Sequence, residues 1–177
     1  FIIDLIRNVK EIAKDPPEMI IYYFKEWQSK FDDLSNKLNV QFFKEHDMII
    51  EQVSQLTGSA LVIFDDMLNS QNLKTIAKLY TVHGRHLDLS LAFLSQRLFK
   101  NDEFFRQISQ NSDYMIIFKN PRNYQEIRNL AGQITPGTYE LTKIYAHATR
   151  NPYSYLFINL TQEAVPQLKY LSELFFN

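Results

Sequence analysis

Two adjacent aspartates, Asp65 and Asp66, close the apolar run LVIF at residues 61–64. Neighbouring carboxylates repel each other, and neither tolerates an apolar core. The pair is therefore either a solvated strand end or the holder of something cationic. Two more apolar runs end in residues with chemistry to offer. LAFLS (91–95) is followed by Gln96 and Arg97, and MIIF (115–118) by Lys119, Asn120 and Arg122.

In open parallel sheets, ligands bind beyond the carboxyl ends of the strands. If these runs are strands of one such sheet, two carboxylates, an amide and several cations gather at one rim. That set suits nucleoside triphosphate hydrolysis. One carboxylate can hold Mg²⁺, which takes few protein oxygens and completes its shell with water and phosphate. The second can orient or deprotonate the attacking water, a glutamine can position that water, and an arginine can neutralise transition-state charge. Four apolar residues before an aspartate are a weak pattern alone, and Gln96 by itself reads as an ordinary surface amide. The phosphate cradle G-x-x-x-x-G-K-[ST] is missing, because none of Gly58, Gly84, Gly132 and Gly137 opens it.

The elements that must position these residues are legible in outline. FIIDLIRNVKEIAK carries apolar residues at Ile2, Ile3, Leu5, Ile6, Val9 and Ile12, a helical stripe with no N-cap residue before it. Pro16 and Pro17 end it. With no start methionine, the expectation is a polypeptide that lacks its leading strand and cradle. MIIYYF (19–24) reads as a buried strand, and KEWQSKFDDLSNKL (25–38) as a helix with Trp27, Phe31 and Leu34 on one side. VQFF (40–43) is a short strand and 46–56 a helix, broken at Gly58-Ser59 before the strand ALVIF (60–64). A helix over 72–84 stops at Gly84, LSLAFLS (89–95) is a third long strand, and 101–110 is helical. YMIIF (114–118) is a further strand, 123–134 and 138–149 are helical, and YSYLFINL (153–160) is the last strand. Leu168, Leu171, Leu174 and Phe175 mark an amphipathic terminal helix over 166–176. Strands alternating with helices, several without polar alternation, predict an α/β fold with a mostly parallel sheet.

Composition sets limits without naming a partner. The 177 residues fit one domain, 1–177. A net charge of −1 gives no global signature of nucleic-acid binding. No apolar run approaches the ~18 residues of a membrane helix, so no membrane partner is expected. The lack of cysteine excludes disulfides and thiolate metal sites, and fits an intracellular protein.

The strings LVIFDD, GRHLDLSLAFLSQRLF (84–99) and NSDYMIIFKNPRN (111–123) resemble the FtsK/HerA superfamily of P-loop ATPases. Within it, the likeness is nearest to genome-packaging ATPases of double-stranded DNA viruses of the poxvirus and giant-virus type, and of Polinton (Maverick) transposons. The resemblance covers most of the chain and is strongest from 61 to 134. It implies a three-layer P-loop fold around a mostly parallel sheet, here without its N-terminal strand and P-loop. It also implies ATP and Mg²⁺ as cofactors and translocation of double-stranded DNA into a capsid. Asp65 matches the Walker B Mg²⁺ aspartate. Asp66 matches the acidic water-activating residue, commonly a longer glutamate in relatives, and Gln96 matches the sensor glutamine. The implied assembly is a homo-oligomeric ring, hexameric or pentameric, docked on capsid portal or vertex proteins, with an arginine finger acting across subunits. Arg122, Arg106 and Arg85 are the candidates. The implied location is the host nucleus or a cytoplasmic virus factory, or the virion. Without the Walker A motif no phosphate-gripping lysine can be assigned, and these residues alone are expected not to hydrolyse ATP.

Two other functions stay open on the sequence: a catalytically silent interaction remnant of such an ATPase, and a conjugation or chromosome-segregation translocase. His83 and His86 form an H-x-x-H with no further ligand nearby, so a zinc site is not expected. Lys100, Arg106 and Lys119 read singly as solvated charges before they read as a DNA path. Tyr139, Tyr145, Tyr153, Tyr155 and Phe157 read as core packing rather than base stacking.

Overall fold

MIIYYF forms strand β1 (Met19–Phe24), and five of its six residues are buried, because each face of the strand meets a different layer of helices. In this computed structural model, residues 1–38, 40–44, 49–84, 86–122, 124–136, 140–172 and 174 are described. The chain divides into two compact units, 1–111 and 112–177.

The first unit holds helix α1 (Ile2–Ile12), β1, helix α2 (Lys30–Lys37), strand β2 (Val40–Lys44), helix α3 (Ile49–Ser54) and strand β3 (Ala60–Asp65). Helix α4 (Ser70–Lys78), strand β4 (Leu89–Leu94) and helix α5 (Glu103–Gln110) complete it. Its four strands are all parallel, in the order β2-β1-β3-β4. Side chains alternate across the sheet. Ile21, Tyr23, Val62 and Phe64 pack with Ile49 and Val53 of α3, Leu73 and Ile76 of α4, and Phe105 and Ile108 of α5. Ile20, Tyr22, Phe24, Leu61 and Ile63 pack with Ile6 and Val9 of α1 and Phe31 and Leu34 of α2. Burial on both faces explains why these strands lack polar alternation.

Chain order makes the direction of winding reverse once. From β1 the chain moves outward to β2 through α2 on one face; it then returns past β1 to β3 through α3 on the other face. The topological switch point therefore lies between β1 and β3, where open α/β sheets place their ligands.

Among the described residues, β4 is one of the two edge strands of this sheet, β2 being the other. Leu94 O accepts from Asp66 N at 3.1 Å and Asp88 O from Ala60 N at 3.3 Å, so the even-numbered residues bond to β3. The N–H and C=O groups of Leu89, Leu91 and Phe93 consequently turn to the open side. Gly84 O takes the Leu89 N–H, and the Tyr80 hydroxyl donates to Leu91 O at 3.2 Å. LSLAFL carries no charge or proline, the usual protections of an exposed edge.

The second unit contains strand β5 (Tyr114–Phe118), helices α6 (Tyr124–Ile134) and α7 (Glu140–Ala148), and strands β6 (Tyr155–Asn159) and β7 (Tyr170–Leu171). Its sheet has the order β5-β6-β7 and is antiparallel. This corrects the expectation that 114–118 and 153–160 extend the parallel sheet. An apolar run such as YMIIF does not reveal its pairing partner, and here Tyr114 and Phe118 are 54% and 45% exposed.

Three local expectations also change. The terminal helix expected over 166–176 is not what its described residues form: a 3₁₀ turn at Pro166–Leu168 leads into β7, and Leu168 is exposed. Apolar residues three apart suit a 3₁₀ turn as well as an α-helix, and Phe175 lies outside the described residues. Trp27 precedes α2 rather than lying in it; its ring packs on Phe24, Phe31 and Phe42, and its Nε1 donates to Asp32 Oδ1 at 3.2 Å. Tyr153 is 94% exposed at φ 63°, so it is not core, whereas Tyr145 is buried and its hydroxyl donates to Phe118 O at 3.1 Å. Tyr139 lies outside the described residues. No helix among the described residues is long and apolar enough to cross a membrane.

Candidate functional site

The carboxyl ends of β1, β3 and β4 carry Lys25, Asp65 with Asp66, and Gln96. Lys25, Asp66, Leu68, Asn69 and Gln96 line a shallow cavity of about 360 Å³. Lys25 and Asp66 are the residues directly after β1 and β3, the strands that flank the topological switch point.

The two aspartates are adjacent in sequence but held apart by different partners. Asp65 ends β3 in regular extended backbone, so it shares the face of Leu61 and Ile63. On that face the hydroxyl of Tyr22 donates to Asp65 Oδ2 at 2.8 Å. Asp66 leaves the strand with φ 57°. The left-handed conformation costs an ordinary L-residue about 1–2 kcal/mol, and Asp and Asn tolerate it best because their short side chains bond locally. Asp66 N still reaches Leu94 O, while its carboxylate turns to β4 and Oδ2 accepts from Gln96 Nε2 at 3.2 Å. The two carboxylates thus take different partners, Asp65 the Tyr22 hydroxyl and Asp66 the Gln96 amide.

Gln96 is fixed by its own neighbour. The Ser95 hydroxyl donates to Arg97 O at 2.9 Å and accepts from Arg97 N at 3.1 Å, closing a tight turn around Gln96. Lys100 then ties the loop after β4 to the loop after β3, with Nζ donating to Leu68 O at 2.7 Å and lying 3.9 Å from Asp102 Oδ2. Lys100 thus works inside the unit rather than as a free surface cation. Asn69 caps α4, accepting from Asn72 N at 2.8 Å.

Tyr22 was not singled out by sequence reasoning, since a tyrosine inside MIIYYF reads only as apolar. The available signal was that a buried phenol needs a polar partner. Burial first, and then the bond to and charge of Asp65, raise the Tyr22 pKa far above the ordinary tyrosine range, so its hydroxyl remains a donor. Lys25 was also missed, because it follows the strand without any motif.

The arginines stand differently. Arg106 is exposed on α5 in the first unit. Arg122 is exposed after β5 in the second unit, where its N–H donates to Asn120 Oδ1 at 3.1 Å. Arg85 lies outside the described residues. The strand preceding Lys119, Asn120 and Arg122 belongs to the antiparallel sheet, which corrects the expectation that they end a strand of the parallel one. Lys119 Nζ donates to Arg150 O at 3.2 Å.

The donor set is compatible with Mg²⁺ and not with a protein-built cage. Among the described residues no group of three His, Cys, Asp or Glu could hold a metal ion. Mg²⁺ commonly binds through one or two carboxylates, with water and substrate phosphate completing its shell. Asp65 meets that need with Oδ1, which carries no protein hydrogen bond among the described residues. Zinc and calcium would require more protein ligands. No family model, curated protein or solved structure matches the chain.

Proposed function

We propose that the first unit is the carboxylate half of a nucleoside triphosphatase site, in an ATP-driven translocase that moves double-stranded DNA into a capsid. The observation that carries the reading is the contact of Gln96 with Asp66, across the carboxyl ends of β3 and β4 and directly after Asp65. In this reading Asp65 would hold Mg²⁺, its Oδ1 being the oxygen that the Tyr22 hydroxyl leaves free. Asp66 accepts a proton from the attacking water, and Gln96, released from Asp66 as substrate enters, orients that water. When bound, Mg²⁺ would neutralise charge on the β- and γ-phosphate oxygens. The low-cost rupture of a single exposed amide–carboxylate contact suits a group that must change partner during turnover.

Phosphate gripping needs a cradle that these residues do not supply. In this reading the cradle would follow a strand added beside β4, where it would replace the Tyr80 hydroxyl on Leu91 O, and the loop leaving that strand would lie near Gln96. Arg106 and Arg122, both exposed, are the described candidates for a finger acting on a neighbouring subunit. Contacts to DNA would fall on backbone phosphates and weaken steeply with salt.

A second reading, a silent interaction domain of the same descent, is favoured by one observation, the absence of the cradle motif. Mg²⁺-dependent ATP hydrolysis by the natural full-length gene product, stimulated by double-stranded DNA, separates the two. Its occurrence supports the translocase, and its absence with the fold retained supports the silent domain.

A further inference from the structure

We propose that Tyr22 is a positioning residue for the cation-binding carboxylate of Asp65, an inference that rests on the Mg²⁺ role assigned to Asp65. Strands β1 and β3 pair with Tyr22 opposite Ile63. Asp65 lies two residues further along, about 6.6 Å on the same face, within reach of a tyrosine hydroxyl. The ring cannot wander. Tyr22 is 1% exposed, and its ring centroid lies 5.0 Å from that of Phe31 and 5.4 Å from that of Phe42.

The hydroxyl donates to Oδ2 alone. It therefore fixes the rotation of the carboxylate and leaves Oδ1 as the oxygen for the cation. Hydrogen bonds that orient metal-ligating carboxylates are worth about 10–100-fold in metal affinity. The donor is a neutral phenol rather than a cation, so the bond orders the carboxylate without neutralising its charge.

Mn²⁺ binding to the natural full-length protein, followed by electron paramagnetic resonance, tests the proposal. Asp65→Asn should abolish the protein-bound signal. Tyr22→Phe keeps the ring and deletes the hydroxyl, and should weaken Mn²⁺ binding about 10–100-fold with little change in thermal midpoint. Phe31→Leu loosens the same packing while keeping the hydroxyl, and should leave Mn²⁺ affinity close to wild type. Wild-type affinity in Tyr22→Phe, with Asp65→Asn still silent, overturns the role of Tyr22 and leaves the reading of Asp65 standing. Equal weakening in Tyr22→Phe and Phe31→Leu assigns the effect to packing and overturns it too. A wild-type protein with no Asp65-dependent signal overturns both assignments.

Discussion

Gln96 Nε2 donates to Asp66 Oδ2 at 3.2 Å, joining the ends of two adjacent parallel strands across 30 residues of sequence. The contact is exposed, and a shallow cavity lined by Lys25 and Asn69 opens beside it. If Gln96 positions water, Gln96→Ala should lower ATP turnover of the natural protein about 10²-fold, the scale of a misplaced reactant. Steady-state hydrolysis measures it, and full activity in that variant would remove Gln96 from the reaction.

Backbone conformation at Asp66 makes a separate prediction, independent of any ligand. Asp66 sits at φ 57°, where a Cβ is strained unless the side chain is Asp or Asn. Asp66→Asn should leave folding stability near wild type, while Asp66→Ala should lose about 1–2 kcal/mol. Urea denaturation of the 177-residue chain reads the difference. Equal stability of the two variants would show that the left-handed turn is not held.

Alkaline pH should destabilise the chain. Burial raises the pKa of Tyr22, Tyr23 and Tyr80, with Asp65 adding to the rise at Tyr22. Unfolded tyrosines ionise near pH 10. Above that pH the folded state binds more protons than the unfolded state, so stability falls as pH rises; below it the contribution is fully present. The urea midpoint at pH 11 should be lower than at pH 8, and Tyr22→Phe should reduce the drop. An unchanged midpoint would contradict the burial of these phenols.

The first unit was largely legible because its central strands, β1 and β3, are buried on both faces. MIIYYF and ALVIF announce themselves, and Gly58 breaks the chain before β3 at φ 88° as its identity suggests. Sheet membership was not legible. YMIIF resembles those runs, yet it pairs antiparallel with β6 and exposes its two end residues. Local hydrophobicity reports burial and carries no information about the partner strand. Of the candidate residues, Asp66 and Gln96 meet at the strand ends, while the Asp65 carboxylate faces Tyr22. What ranks them chemically was hidden in tertiary geometry: the left-handed turn at Asp66, the Ser95 turn around Gln96 and the Tyr22 hydroxyl on Asp65.

The most direct test of the account is ATP turnover and nucleotide binding by Asp66→Asn in the natural full-length protein. The substitution keeps the side chain's shape and its tolerance of the left-handed turn, and removes only the base. Turnover should fall about 10²–10⁴-fold, the contribution of a positioned general base, while nucleotide affinity stays close to wild type. Undiminished turnover in Asp66→Asn would contradict the assignment of this strand end as the hydrolytic site.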